Sequence, residues 1–427
     1  MMALQDQTLT EAILSAKAGR TVTPGEFVVV DVDLMYAHDG TAPLAMRVME
    51  DHEVLHKVLS PEKAVLVIDH ASPPPTVSAA TAHRLMRDFA RKFNVTLYDV
   101  GTGVCHQVIV EAGHVKPGMV VLGADSHTVT LGALSAFATG VGSTDIAVAF
   151  ATGKAWLKVP EPVKVVLEGP PKPWVMGKDI ALTLLGEVGT DGLTYKAAEF
   201  QGTALKHISM DSRMTISNMC VEAGAKVGIF PADETLIKWL RAQGINSGVS
   251  QALMNPGHNA PYSDELRIDV NRVEPMVAAP PNVDNVRVVN EVEGVEVDQV
   301  FIGSCTNGRY EDFAVAAKIL KGRRVKAGVR CIAVPASRRV YKELLRSGII
   351  DVLINAGCFV AHSTCGPCIG AHLGLLAPGE TAISTSNRNF TGRMGHKDSK
   401  VYLASPATAA ASAVKGMITD PREFLNS

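Results

Sequence analysis

Short apolar runs that end at polar, chemically capable residues recur along this chain, and no other feature limits its fold as much. "AVLVI" runs into Asp69 and His70, "VTLYDV" leads through glycines to His106, "VVLG" leads to Asp125, Ser126 and His127, and "QVFIG" leads to Cys305. Runs of that length, rich in Val, Leu and Ile, read as buried strands. Helical patterns fall between several of them, as at 81–93 and 310–320. Strand and helix in alternation predict an α/β architecture with largely parallel sheets. In such sheets ligands bind beyond the carboxyl ends of the strands, where loops present side chains without disturbing the core. The His, Asp and Cys residues at those ends therefore predict one convergent site.

The last third repeats the alternation: "QVFIG", helix 310–320, "RCIAV", helix 337–348, then "DVLINAG" and "TAISTS" as further strands. Proline-bearing stretches at 158–164 and 273–285 read as boundaries. With 427 residues, two or three domains are expected. The Gly- and Ala-rich stretch 131–153 contains Asp145 and reads as a buried helical region, not a membrane span. The 41 basic and 43 acidic side chains nearly cancel, which gives no electrostatic reason to expect nucleic acid or an anionic membrane. The first twenty residues lack the basic start and apolar stretch of a secretory signal, so a cytoplasmic address is expected.

Seven cysteines, odd in number and scattered, argue for metal binding or chemistry over a disulfide framework. Cys105, Cys220 and Cys331 read as small buried apolar residues. "HSTCGPCIGAH", His362 to His372, holds Cys365 and Cys368 in a C-x-x-C pair that alone is ambiguous among zinc, iron-sulfur and dithiol use. A closed zinc site needs four ligands; here His362 and His372 would have to join the cysteines from a single loop, which disfavours zinc. A thioredoxin-like dithiol would open a helix near an early strand, and this loop sits late. The third reading adds one thiolate from a neighbouring strand end. "FIGSCTN" offers Cys305, before a helix that Thr306 or Asn307 would cap, and Cys358 is a rival that spacing does not exclude. Three thiolates on a four-iron cluster leave one iron open as a Lewis acid.

Asp69, His70, His106, Asp125, His127 and Glu222 supply carboxylate and imidazole pairs for proton transfer beside such a cluster. Taken singly, each reads as a loop-stabilising hydrogen bonder. "STSNRNFTGRMG" adds Arg388 and Arg393, which could grip carboxylates by bidentate hydrogen bonds or pair with local acids.

Together "FIGSCTNGRYEDF", "STCGPCIGAH", "SNRNFTGRMG", "GVCHQ" and "GADSHT" resemble the aconitase family, and within it the stand-alone large subunits of the isopropylmalate dehydratase and homoaconitase branch. The likeness runs in order from about residue 25 onward. It implies three aconitase-like domains, at 1–160, 161–275 and 276–427, around a central [4Fe-4S] cluster held by Cys305, Cys365 and Cys368. It implies that Asp69 and His70 serve proton transfer at the substrate hydroxyl, that His106, Asp125 and His127 surround the water at the open iron, and that Glu222 orients an imidazole. Ser126, Asn218, Asn387, Arg388 and Arg393 match positions that bind substrate or surround the cluster, and His38 and Asp39 are carried with them as substrate-binding. His38 stands where aconitases themselves have a substrate-binding glutamine, which argues against citrate-like tricarboxylates. The swivelling domain of single-chain aconitases is missing, so a separate small subunit is expected to supply it. The implied reaction is dehydration and rehydration of a 2-hydroxy dicarboxylic acid, first 3-isopropylmalate in leucine biosynthesis, with homoaconitate, citramalate or maleate, and 2,3-dimethylmalate as alternatives. A non-catalytic metal- or RNA-binding protein is the alternative of another class.

Overall fold

The early apolar runs pair, in the computed structural model, into one sheet. Its order is Thr96–Tyr98, Ala64–Val67, Leu34–His38, Val120–Gly123, Phe137–Gly140, with every pairing parallel. The structure describes residues 6–53, 56–245 and 255–424. Ala64–Val67 and Val120–Gly123 are buried along their whole length, as strands covered on both faces must be, which is why they read as unbroken apolar runs. The antiparallel ribbon of Phe27–Asp31 with Lys154–Lys158 differs: Phe27 and Val29 point outward while Val28 and Val30 are buried.

A second, all-parallel sheet follows in the order Val227–Ile229, Lys196–Gln201, Glu161–Glu168, Asp264–Asp269. The third is seven-stranded: Val286–Val288, Met276–Ala278, Lys400–Ala404, Thr381–Ser384, Gln299–Gly303, Arg330–Val334, Phe359–Val360. Only the pairings made by Met276–Ala278 are antiparallel in it. One apolar core runs through all three sheets, joining Val65 and Val121 to Val163 and Phe200 and on to Phe301. Among the described residues no helix is long and apolar enough to cross a membrane.

Three local expectations are corrected. "DVLINAG" lies in a helix, Ile349–Ala356, because its buried residues Ile349, Ile350, Leu353 and Ala356 follow the helical period and left-handed Gly348 and Gly357 bracket it. The stretch 131–153 is only partly helical and only partly buried: a 3-10 run ends at Leu134, Phe137–Gly140 joins the first sheet, and only Ser143–Thr152 is α-helix, with Thr144, Asp145, Val148 and Thr152 exposed on it. Neither Thr306 nor Asn307 caps the helix Tyr310–Leu320. Arg309 holds the N-cap position, where its N–H donates to Asp312 Oδ2 at 2.9 Å.

Candidate active site

Six strand ends converge on one cavity of about 360 Å³. Its lining includes His38, His70, His106, Asp125 and His127 from the first sheet, and Cys305, Asn387 and Arg388 from the third, closed by Cys365, Cys368 and Arg393. A larger apolar groove of about 780 Å³ opens beside it and shares Ser126 and Val141.

Asp125 is the hub of the first wall. Its Oδ1 accepts the His127 backbone N–H at 2.7 Å and lies 3.0 Å from His106 Nε2. Its Oδ2 lies 3.2 Å from His38 Nε2 and 3.6 Å from His70 Nε2, and the His38 and His70 rings stack with centroids 3.7 Å apart. Burial opposes ionisation of Asp125, but the neighbouring His106, His127 and His38 outweigh it and hold its carboxyl well below the usual range. Burial likewise penalises a charged His70, yet Asp69, 2.7 Å from Nδ1, and the other carboxylates raise its pKa to about 10. His106 is the exception, because there burial wins and lowers the pKa. His127 Nε2 meets Glu222 Oε1 at 2.9 Å; His127 is shifted up against the effect of burial, and Glu222 down against it. Arg388 Nε donates to both Glu222 oxygens, and its Nη2 to Ser126 Oγ at 3.1 Å.

Backbone contacts join this wall to the cysteines. Asp69 Oδ2 accepts the Cys105 N–H at 2.6 Å, and its carbonyl accepts both the Cys365 N–H at 2.9 Å and the Thr364 hydroxyl at 2.7 Å. Cys305 is presented by a strained turn: Ser304 has φ 74°, a left-handed conformation costing a non-glycine residue about 1–3 kcal/mol. The amide of Asn387 bridges two thiols, its Nδ2 lying 3.5 Å from Cys305 Sγ and its Oδ1 3.7 Å from Cys368 Sγ. Asn218 Nδ2 lies 3.2 Å from Cys305 Sγ.

The sequence matches the aconitase family (aconitate hydratase) over residues 11–293 and 287–416. It is 49% identical over 420 residues to the 3-isopropylmalate dehydratase large subunit 1 of Methanopyrus kandleri, covering 98% of this chain and 100% of that one. The chain belongs to the aconitase family. Its likeness to the 3-isopropylmalate dehydratase large subunit of a Sulfurihydrogenibium species is 50% over 419 residues, 97% of this chain and 96% of that one. A probable 3-isopropylmalate dehydratase large subunit of Methanothermobacter thermautotrophicus is 48% identical over 420 residues, 97% and 98% of the two chains.

Membership in the aconitase family implies an iron-sulfur cluster, and the donor set here suits one. Cys305, Cys365 and Cys368 are all unpaired thiols that line the same cavity. Cys358 does not line it; its Sγ sits 2.9 Å from Cys331 Sγ in a different part of the core. The zinc alternative is not assembled either. His362 stacks on Tyr341, and His372 Nε2 lies 3.1 Å from the His70 carbonyl, so neither imidazole lines the cavity.

Four of the expected site residues stand behind the cavity wall. Asp69 and Glu222 orient His70 and His127, and Asn218 is enclosed by Thr130, Thr306 and Cys305. Asp39, expected to bind substrate, faces away from the cavity. Its oxygens accept the N–H groups of Asp69, His70 and Ala71 and meet His83 Nε2, so it braces the loop that carries His70. Sequence reasoning missed His83, Tyr36, Thr128, Arg309 and Lys178. Buried Arg309 holds the Cys305 and Thr306 carbonyls, and fully buried Lys178 holds those of Thr385 and Ser386 just before Asn387. A buried cation without a carboxylate partner needs carbonyls in this way, but nothing in the local sequence points to them.

Proposed function

We propose that this chain is the cluster-bearing large subunit of a hydro-lyase that isomerises 3-isopropylmalate by dehydration and rehydration in leucine biosynthesis. The observation that carries this reading is the single cavity in which three thiols face an Asp125-centred set of imidazoles and two arginines. Full-length likeness to large subunits of that name selects the substrate.

Cys305, Cys365 and Cys368 would hold a [4Fe-4S] cluster, which when bound supplies a Lewis acid at its uncovered iron. The chain's own residues do the rest. His70 is an imidazolium at neutral pH, with Asp69 holding Nδ1 and Nε2 turned to the cavity, so it serves as the acid that protonates the departing hydroxyl. Arg393 lines the cavity with a buried Nε that has no hydrogen-bond partner among the described residues, which leaves it free for a substrate carboxylate. Arg388 fixes Ser126 as a second polar contact. His38 Nε2 is engaged by Asp125, which suits a substrate with no third carboxylate to hold. Of domains at 1–160, 161–275 and 276–427, the first and third would meet at this cavity and the second would back it through Asn218 and Glu222. A cytoplasmic small subunit would bring the swivelling domain and the base that removes the carbon-bound proton.

The test is reconstitution with the small subunit and assay against 3-isopropylmalate, homoaconitate, citramalate, maleate and 2,3-dimethylmalate. Fastest turnover of 3-isopropylmalate is expected. A faster alternative overturns the substrate, and full activity from this chain alone overturns the division of labour.

A further inference from the structure

Cys331 and Cys358, which do not line the cavity, stand side by side at one edge of the third sheet. The strand Arg330–Val334 pairs in parallel with Phe359–Val360, Ile332 opposite Phe359 and Ala333 opposite Val360. One position earlier in that register, Cys331 faces Cys358. The helix Ile349–Ala356 delivers the second thiol: left-handed Gly357, φ 100°, ends it, and the Cys358 N–H donates to the Leu353 carbonyl at 2.9 Å. The Cys358 thiol donates to Cys331 Sγ at 2.9 Å, and both residues are buried in one apolar cluster with Ile302, Leu353 and Ile383.

This geometry is close to that of a disulfide. Neighbouring strands lie about 4.8 Å apart, within the roughly 4.4–6.8 Å between Cα atoms that a disulfide spans. The two sulfurs have less than about 1 Å to close before they reach bonding distance. Burial in a sheet interior would leave such thiols inert, but this pair is at an edge. Phe359–Val360 is two residues long, is the last strand of its sheet, and carries Phe359 56% exposed. A strand held from one side only opens locally at far less cost than the interior of the sheet. Arg330–Val334, by contrast, lies between two neighbours. Opening therefore uncovers Cys358 first, while in the closed state the Cys358 thiol and burial push Cys331 well up.

We propose that Cys331 and Cys358 form a redox modification site, which a low-molecular-weight disulfide such as oxidised glutathione converts to an intramolecular disulfide that clips the edge strand to the sheet. The Cys358 thiolate attacks one sulfur of oxidised glutathione, which forms a mixed disulfide and expels one glutathione thiolate. Reclosure brings Cys331 against the mixed disulfide. Its thiolate attacks Cys358 Sγ, and the second glutathione thiolate leaves. Two protein thiols are oxidised, one disulfide is reduced to two thiols, and the two cysteine protons end on the two glutathione sulfurs. Phe359–Val360 runs into the loop that carries Cys365 and Cys368, so the bond also anchors the start of that loop.

The experiment exposes the anaerobically purified full chain to oxidised or reduced glutathione at pH 8, denatures it in N-ethylmaleimide and maps the peptides by mass. Oxidised glutathione is expected to give one cross-linked pair of peptides, carrying Cys331 and Cys358 and lighter than the free peptides by two hydrogens. Cys331→Ala should stop at the mixed disulfide, with glutathione on Cys358. Oxidation should raise the melting temperature of the wild type by a few degrees, reversibly in reductant, and leave that of Cys358→Ala unchanged. Full alkylation of both cysteines after overnight exposure overturns the proposal, as does a cross-link from either one to a third cysteine. A fall in melting temperature on cross-linking would show that the strands must part to form the bond, and overturns the clip. The pair lies outside the cavity, so these outcomes are independent of the hydro-lyase reading.

Discussion

The two walls of the cavity are built on different electrostatic plans. On the first, every group has a partner of complementary charge: Asp125 sits among four imidazoles, Asp69 holds His70, and Glu222 lies between His127 and Arg388. On the second, Cys305 meets only the neutral amides of Asn218 and Asn387, and burial pushes its pKa up to about 12. The first wall is organised by its own ion pairs before any ligand arrives. On the second, Cys365 is likewise pushed up, whereas Cys368 is drawn well below the usual thiol range by the Cys365 thiol and by Arg393 and His127, so one thiol is poised to ionise and the other two gain a reason only from what they bind.

Substitutions that break the thiol wall should therefore have the largest effect. Cys305→Ser should abolish bound iron and sulfide, the broad absorbance near 400 nm and all dehydratase activity. Cys358→Ser should keep them, since that thiol packs against Cys331 outside the cavity. Iron and sulfide analysis of anaerobically purified protein checks both, and loss of the cluster in Cys358→Ser with retention in Cys305→Ser would reverse the ligand assignment.

On the imidazole wall the expected effects are graded. Asp125→Asn removes the charge shared by His38, His70 and His106, and should lower kcat of the assembled enzyme by about 10²-fold or more while leaving cluster content intact. Loss of the cluster in this variant would mean that the two walls are not separable. Arg393→Lys replaces a fork by a point charge and should act mainly on substrate binding, raising KM by about tenfold with a smaller change in kcat. A kcat effect without a KM effect would remove Arg393 from carboxylate recognition.

The same contrast explains what the sequence made legible. His70, His106, Asp125 and Cys305 stand one to a few residues beyond apolar runs, and a parallel strand delivers its carboxyl end to one side of the sheet whatever its neighbours do. The groups behind them gave no such signal. Tyr36 lies inside a strand buried along its length, Lys178 reads as the start of a helix, and their roles come from elements about 90 to 200 residues away. The place of Asp39 behind the wall was hidden for a related reason: whether a strand-end carboxylate faces a cavity or a neighbouring loop depends on how that loop folds back over it. "DVLINAG" failed differently, because an apolar run of that length fits a buried strand or a buried helix equally well.

A carboxylate outside both walls sharpens the comparison further. Glu199 anchors the helix Leu9–Ala18 by accepting the Leu9 and Thr10 N–H groups at 3.0 and 2.8 Å, and it also accepts the Tyr262 hydroxyl at 3.0 Å. It is fully buried with no cation paired to it among the described residues, and burial raises its pKa, the opposite of the shift at Asp125. The consequences for stability have opposite sign. Folded Glu199 holds its proton more tightly than the unfolded chain does, so its contribution is full below the ordinary value of 4.5 and declines as pH rises through the folded pKa. Asp125 holds its proton less tightly, so its contribution is present above the ordinary value of 3.8 and is lost only in stronger acid. Melting temperatures of the wild type and of Glu199→Gln, compared between pH 4.5 and pH 7, should therefore show a gap that moves against the wild type as pH rises. The corresponding gap for Asp125→Asn should stay flat over the same range. Parallel pH dependence in the two variants would mean that the imidazoles around Asp125 do not set its charge, and the distinction between a wall organised by ion pairs and a carboxylate buried alone would fail.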